Sequence, residues 1–143
     1  MDSRPRIVLD TNVFLVAILP KHKYWWVFQA FMDQKFILLL STEILTEYNE
    51  KCIDKYGSSL SEERLEFLLE FPNVELVTPF YRWNLINDDP DDNKFVDCAV
   101  AGQADHIVSH DKHLNVLKQI PFPRVNVVRL PEFHELLNGN KTA

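Results

Sequence analysis

Short, continuously apolar segments alternate along the chain with longer segments that have helical periodicity. Residues 6–10 enclose an uninterrupted Ile-Val-Leu run, and residues 36–40 are apolar throughout. Such continuity is typical of strands that are buried on both faces, as in a parallel sheet covered by helices. Three further short runs, each with β-branched residues, predict strands at 74–77, 106–109 and 125–128.

The segments between these strands place apolar residues three and four positions apart, which is the spacing of one helix face. One helix begins at Ser41, a capping residue followed by the acid Glu43, and ends at Gly57. Further helices are predicted at 12–19, 24–32, 61–69, 92–103, 112–117 and 131–137. Because buried strands alternate with helices, the sequence predicts an α/β fold, a three-layer α/β/α sandwich with a mostly parallel central sheet.

The length and composition of the chain indicate one globular domain. The chain has 143 residues, 46% of them hydrophobic and 25% charged, which is enough for one core and ordinary for a globular protein. We therefore expect a single domain that spans residues 1–143. With 3 glycines and no G-x-G or G-K-[ST] sequence, the chain lacks the usual phosphate-binding glycine loop.

Charge and cysteine content limit the ligands and the cellular compartment that we expect for the protein. The net charge of −6 excludes broad phosphate binding by a basic surface, so contact with nucleic acid needs another source of positive charge. Cys52 and Cys98 have no C-x-x-C spacing and lie in predicted helices, which indicates reduced core thiols. No apolar run approaches the roughly 18–20 residues of a membrane span, and no signal peptide is evident. We expect a cytoplasmic protein without membrane association.

Acidic side chains stand where several of the predicted elements meet. Asp10 follows the first strand, Asp111 follows the strand at 106–109, and Asp92 begins the helix before that strand. Glu47 lies one turn into the helix after the second strand. Because ligands of parallel sheets bind at the carboxyl ends of the strands, we expect these four acids to converge at one edge.

Two interpretations of these acids remain open at this point. Asp is a favoured N-cap, and Glu47 has Lys51 four residues later as a helical ion-pair partner. However, Ser, Thr or Asn would cap equally well, and two carboxylates 4 Å apart repel by about 4 kcal/mol at an effective dielectric constant of about 20. A hard divalent cation such as Mg²⁺ relieves that repulsion and can also bind a substrate phosphate.

Four segments in this order resemble the motifs of the PIN domain: Asp10-Thr11-Asn12, Ser41 to Glu47, Asp91 to Phe95, and Ala104 to Asp111. The sequence is most similar to prokaryotic single-domain members of the toxin type, relatives of the VapC ribonucleases. The resemblance covers residues 7 to about 130. It implies a ribonuclease that hydrolyses RNA phosphodiester bonds with Mg²⁺ or Mn²⁺, and an antitoxin protein as a possible partner.

The resemblance also implies roles for individual residues. The four acids that match the family as catalytic and metal-binding residues are Asp10, Glu47, Asp92 and Asp111. Asp97 is an additional candidate ligand, with a solvated position on its helix as the alternative. Asn12 and Ser109 are expected to orient carboxylates or water by hydrogen bonds. His110 stands where the family often has Gly or Arg, and neither it nor His113 has the spacing of a zinc motif.

Secondary features leave other hypotheses open. Lys21 and Lys23 precede aromatic residues and are candidate substrate-binding cations. Aromatic residues around Trp25 and Phe80 are candidates for packing on the sheet or for a homodimer interface. The alternative to an enzyme is a catalytically inactive PIN-like module that binds RNA or protein. A receiver-like phosphoacceptor domain is disfavoured, because the chain lacks clear paired acids after its first strand and a Lys after its last.

Overall fold

The computed structural model describes residues 2–139, in which one parallel sheet carries all the strands. The strands are β1 (Arg6–Leu9), β2 (Ile37–Leu40), β3 (Val74–Leu76), β4 (His106–Val108) and β5 (Val127–Val128). The α-helices are α1 (Thr11–Ala17), α2 (Trp25–Met32), α3 (Thr42–Tyr56), α4 (Ser58–Leu69), α5 (Asn93–Ala101) and α6 (Leu130–Gly139). Two 3₁₀ helices span Pro90–Asp92 and Lys112–Gln119.

The strands lie in the order β3-β2-β1-β4-β5, and every pairing is parallel. Neighbouring residues of the inner strands, such as Ile7 and Val8 in β1, are both fully buried. Since successive strand residues point to opposite faces of a sheet, helices must cover both faces. The predicted three-layer α/β sandwich is confirmed.

The sheet order brings the carboxyl ends of β1 and β4 next to each other. The backbone N–H of Asp10 donates to the carbonyl of Val108 at 3.1 Å, which extends the pairing by one residue beyond β1. The hydroxyl of Tyr48 in α3 donates to the carbonyl of Leu9, and its ring stacks on Phe14 at 4.1 Å. These buried contacts fix α1 and α3 at the edge where the acids follow β1 and β4.

Several predicted boundaries differ from the structure for local reasons. The helix predicted at 61–69 begins at Ser58, because Gly57 adopts φ +94° and turns the chain directly from α3 into α4. The helix predicted at 112–117 is a 3₁₀ helix, Lys112–Gln119, and the last strand is only Val127–Val128. The boundaries of a single domain at 1 and 143 stay a prediction, since residues 1 and 140–143 lie outside the described part of the chain.

Two expectations about the chain's chemistry can be compared with this fold. Cys52 and Cys98 are both free and buried, as predicted from their spacing. Between residues 2 and 139, no helix has the length and apolarity of a bilayer span.

Candidate metal centre

An open cleft of about 210 Å³ lies beyond the carboxyl ends of β1 and β4. Its acidic lining residues are Asp10, Glu47, Asp89, Asp91, Asp92 and Asp111, and Lys51 is a cation beside them. All four acids that the sequence predicted to converge therefore face one cleft. This concentration of carboxylates requires compensation by protons, by cationic side chains or by a bound cation.

Four of the side chains around the cleft lie especially close together. Asp89, Asp92, Asp111 and His113 each offer one ligand atom, and these atoms all lie within 4.8 Å of one another. The Nδ1 atom of His113 is 3.2 Å from Asp111 Oδ1 and 3.8 Å from Asp89 Oδ2. Oδ2 of Asp92 is buried and has no hydrogen-bond partner in the described chain. A donor set dominated by carboxylate oxygens suits a hard divalent cation.

The protonation of the cluster follows from burial and crowding of the carboxyl groups. Burial is the largest cause that raises the pKa of Asp92 to about 8, followed by contact with the Asp111 carboxyl and by the negative charges of Asp111, Asp89 and Asp10. Burial alone would also raise the pKa of Asp111, but contact with Asp92, the His113 N–H and nearby positive charge lower it overall. Without a cation, burial and crowding therefore favour a proton shared within this pair of carboxyl groups.

Asp10 is both a helix cap and a lining residue of the cleft. Its Oδ1 accepts from the Val13 N–H at 2.9 Å at the start of α1, and its Oδ2 accepts from the Ser109 hydroxyl. The Ser109 oxygen in turn accepts from the Asp111 N–H at 2.9 Å, so one serine connects the two acids. Burial is the main cause that raises the pKa of Asp10, against the two hydrogen bonds that lower it.

The capping interpretation therefore accounts for some of the acids and not for others. Asp10 and Asp111 both accept hydrogen bonds from the helix that each begins. Asp92 makes no side-chain capping bond to α5, although it directly precedes that helix. Capping consequently gives no reason for a carboxylate at Asp92, one oxygen of which is buried without a partner in the described chain.

The negative charge of Glu47 is compensated by neighbouring side chains. The Nζ atom of Lys94 lies 2.6 Å from Glu47 Oε1, and the Thr11 hydroxyl donates to Oε2. The side chains of Lys94 and Glu47 are only 14% and 16% exposed. The alternative interpretation, in which Glu47 pairs with Lys51, is not the arrangement in the structure, where Lys94 at the start of α5 forms the ion pair.

We expect Lys94→Ala to lower the Tm of the metal-free protein by several degrees. The substitution leaves the mostly buried Glu47 carboxylate beside the other acids without its cation, and a half-removed buried pair is strongly destabilising. Mn²⁺ should then raise Tm by more than it does in the wild type. The measurement is differential scanning fluorimetry with and without MnCl₂. In Lys51→Ala, the matched control, a loss as large as that of Lys94→Ala would contradict this assignment of the ion pair.

Asp97 lies apart from the metal-ligand cluster. Its carboxylate is buried at 3% exposure and accepts from the Trp83 N–H at 3.0 Å, so the solvated position considered for it is wrong. Burial is the largest cause that raises the pKa of Asp97. Asp97 is not among the residues that line the acidic cleft, and its hydrogen bond fastens the irregular segment 77–89 to α5.

Among the remaining predicted site residues, Lys21 and Lys23 are not part of the lining of the cleft. Asn12 lines it, and its side chain makes no hydrogen bond to another described residue. Lys21 and Lys23 are exposed, and Lys23 Nζ lies 5.0 Å from the ring centroid of Tyr24. Tyr24 lines a neighbouring cavity of about 340 Å³ whose wall includes Asp10.

Three residues that sequence reasoning did not select belong to the centre. Asp89 stands in the acidic run 88–92, where composition alone does not distinguish one acid from the next. His113 had a usable signal, because it lies only two residues after Asp111, which caps the 3₁₀ helix that contains His113. Lys94 pairs with an acid 47 positions earlier, a contact that only the tertiary structure shows.

Comparison with known proteins identifies the family. The family model described as the PIN domain matches residues 6–113, about three quarters of the chain. The chain belongs to the PIN domain family. PIN domains are generally metal-dependent nucleases, and this one carries the acidic cluster described above.

One curated relative matches this PIN domain over most of both chains. The uncharacterized protein MJ1680 of Methanocaldococcus jannaschii is 30% identical over 131 residues, which cover 87% of this chain and 83% of the relative. An aligned share of 87% of this chain is larger than the share that ends at residue 113, so the likeness to this relative extends beyond the family match.

Solved structures with a similar fold include toxin–antitoxin proteins. VapBC2 from Rickettsia felis, bound to a DNA fragment from its promoter, has a TM-score of 0.61 at 16% identity and covers 87% of this chain and 98% of that chain. DNA-bound VapBC from Salmonella typhimurium has a TM-score of 0.57 at 12% identity with the same coverage. VapC20 of Mycobacterium tuberculosis has a TM-score of 0.51 at 12% identity over 71% of this chain and 86% of that chain. At these identities the likeness shows the fold alone.

Proposed function

We propose that this PIN domain is a metal-dependent endoribonuclease that hydrolyses RNA phosphodiester bonds. The observation that carries the proposal is the cluster of Asp89, Asp92, Asp111 and His113, in which Asp92 Oδ2 is buried without a partner. A proton on Asp92 compensates the cluster only in part, while a divalent cation would satisfy several oxygens together. The orphaned oxygen and the donor set both fit Mg²⁺ or Mn²⁺.

The residues proposed to hold the cation come from three parts of the chain. Asp10 follows β1, Asp92 precedes α5, and Asp111 follows β4. Asp92 and Asp111 form the close cluster with Asp89 and His113, whereas Asp10 lines the same cleft outside that cluster and is connected to Asp111 through Ser109. A bound cation of this kind supplies activation of a water molecule and offsets negative charge on the phosphodiester.

The protein's own hydrogen bonds determine how well these acids are positioned. Ser109 donates to Asp10 and accepts from the Asp111 backbone, so it fixes the spacing between two proposed ligands. Val13 fixes the other oxygen of Asp10 from the first turn of α1. Asn12 lines the same cleft with an uncommitted amide, and we keep it as a group that orients water or substrate.

Glu47 remains among the proposed catalytic acids with a more specific role. Both of its oxygens are engaged by Lys94 and Thr11, so it is not free to bind a cation in this arrangement. The pair places an ammonium group beside a cleft that would receive a phosphodiester. We therefore assign Glu47 to holding Lys94 in position and to providing oxygen ligands if Lys94 moves to the substrate.

Incubation of the purified protein with an end-labelled RNA tests the proposal directly. We expect internal cleavage in millimolar MnCl₂ or MgCl₂ and none in EDTA. Binding of the RNA with no cleavage in either metal would instead support the catalytically inactive module. Cleavage at the same rate in EDTA would contradict a role for the metal.

The fold likeness also supports a toxin role for the nuclease. The similar structures include complexes named VapBC, and VapC20 is described as a toxin that cleaves the sarcin–ricin loop. We propose by analogy that an antitoxin protein binds this chain and blocks its cleft. Induced expression in a bacterial host should arrest growth in the wild type and not in an Asp10→Asn variant. Equal growth of both strains at equal protein level would contradict the toxin role.

A further inference from the structure

A second groove lies along the outer edge of β5, away from the acidic cleft. Its volume is about 670 Å³, about three times that of the cleft, and it falls in the range of ligand-binding sites. The walls are formed by His106 at the start of β4, by the end of the 3₁₀ helix at Lys118, and by the connecting segment 120–128. No residue of the acidic cleft contributes to it.

The charge of this groove is opposite to that of the cleft. Lys118 and Arg124 line it, and its lining residues include no Asp or Glu. Both cations are exposed, and neither forms an ion pair or a hydrogen bond with another residue between positions 2 and 139. The Nδ1 atom of His106 is buried and also has no hydrogen-bond partner within that range. The groove is therefore a local basic site on a chain whose net charge is −6.

A cluster of aromatic rings adjoins the basic groove along the chain, because Phe122 directly follows Pro121, which lines the groove. Phe122 is not itself a lining residue, and its side chain is 75% exposed. Its ring centroid is 5.7 Å from that of Trp83, which lies 4.6 Å from that of Tyr81. These three rings form a continuous aromatic cluster on the protein surface.

The aromatic cluster is held in place by buried contacts. Asp97 accepts from the Trp83 N–H, and the side chain of Asn93 forms two hydrogen bonds with the backbone of Ile86. Ile86 itself is buried in the core. The backbone of Trp83 is therefore fastened to α5, which lowers the conformational entropy lost when a base stacks on its ring.

The 3₁₀ helix connects the acidic cleft to the groove along the chain. The 3₁₀ helix Lys112–Gln119 begins directly after Asp111 and carries Lys118 near its other end. Eight residues at about 2.0 Å of rise per residue correspond to about 16 Å. A few nucleotides of a single strand bridge such a separation.

We propose that the basic groove and the aromatic cluster bind a single-stranded segment of RNA next to the cleavage point. Lys118 and Arg124 contact phosphates, and Phe122 and Trp83 stack on bases, which is the combination that holds single strands without sequence preference. The proposal rests on the proposed function for RNA as the ligand class. Uncompensated cations beside exposed rings favour a nucleic acid over a protein strand added to the free edge of β5.

Fluorescence anisotropy with a labelled, unstructured 16-nucleotide RNA in EDTA tests the groove without any cleavage. We expect Lys118→Ala/Arg124→Ala to weaken binding at least tenfold near 150 mM salt. Because two phosphate contacts are lost, the slope of log affinity against log salt should fall by about 1.4. Phe122→Ala should weaken binding about fivefold or more and leave the slope unchanged, since one stacked base is lost.

The matched control is Lys35→Ala/Lys55→Ala, which removes two exposed positive charges elsewhere on the surface. This control should retain the wild-type affinity for RNA and the wild-type slope. A loss of affinity equal to that of the groove variant would show a general charge effect and overturn the proposal. Wild-type RNA binding by the groove variants would also overturn it and direct attention to a protein partner at β5. The variants alter exposed side chains, and unchanged Tm values verify their folding.

Cleavage assays separate this inference from the proposed function. If the wild type binds RNA through the groove and cleaves no RNA in Mn²⁺, the nuclease proposal fails and the proposal that the groove binds RNA is supported. If the groove variants cleave a 16-nucleotide RNA with unchanged KM and kcat, the groove proposal fails and the nuclease stands. We expect a raised KM with an unchanged kcat.

Discussion

Asp10→Asn should lower the rate of metal-dependent RNA cleavage by about a thousandfold or more. A loss of this size corresponds to about 4 kcal/mol of transition-state stabilisation, which is in the range expected for disturbing a catalytic cation. The residue lies at the junction of β1 and α1 and shares Ser109 with Asp111. Replacing its charge therefore affects two proposed ligands.

The same substitution should leave Tm unchanged or raise it. The Asn side chain can still accept from the Val13 N–H, and its amide can donate to the Ser109 oxygen, so the cap of α1 is retained. Burial already disfavours the charged form of Asp10, since it raises the pKa of that carboxyl. Removing the charge relieves this cost.

Asp88→Asn is the matched control for the loss of one negative charge. Asp88 is exposed, belongs to the same acidic run, and is not among the residues that line the cleft. Single-turnover cleavage and Tm should be measured for both variants. If Asp10→Asn cuts RNA at the wild-type rate, Asp10 has no part in the mechanism.

Asp92→Asn should change how the stability of the protein depends on pH and on metal. The pKa of Asp92 is raised in the folded protein to about 8 from an ordinary value of 3.8, so folding favours the protonated form. This contribution is present in full below the ordinary value and is lost as pH rises through about 8. In EDTA, the Tm of the wild type should thus fall between pH 6 and pH 9, and the Tm of the variant should fall less.

A divalent cation should reverse this trend in the wild type. Metal ligands must be deprotonated, so the increase in Tm on adding MnCl₂ should be larger at pH 8 than at pH 6. At about 100 times the Kd, binding contributes about 2.7 kcal/mol, or roughly 10 °C for a domain of this size. In Asp92→Asn the increase should be small at both pH values. An equal metal-induced shift in variant and wild type would remove Asp92 from the site.

The sheet and the convergence of the acids could be predicted because they depend on local patterns. Continuous apolar runs such as residues 36–40 indicate burial on both faces, and parallel strands must end at one edge. Asp10, Asp92 and Asp111 stand at the ends of strands or at the start of a helix. Their places in the sequence therefore determine their places at the edge of the sheet. For these residues the sequence carried enough information to place them in one cleft.

The partners of the acids could not be predicted in the same way. Lys94 at the start of α5 forms an ion pair with Glu47 of α3, whereas helical spacing suggested Lys51 of the same helix as its partner. Asp97 has the spacing of an exposed helix position, yet the irregular segment at 77–89 covers it and uses its carboxylate. Such contacts depend on the course of a loop, which has no periodicity to reveal it.

An acidic chain can engage a polyanion when positive charge is supplied locally. In this protein the proposed cation neutralises the cleft, and Lys118 and Arg124 provide a separate basic site. The two sites would bind different parts of the RNA: the cleft would hold the phosphate that reacts, and the groove would hold the neighbouring strand. Salt dependence should therefore report on the groove, and metal dependence on the cleft.

Anomalous diffraction from crystals soaked in MnCl₂ tests the metal centre most directly. We predict an anomalous peak in the cleft with oxygen atoms of Asp92 and Asp111 within about 2.0–2.3 Å. Absence of a peak in the cleft at millimolar Mn²⁺, with the acids in the same positions, would contradict the account.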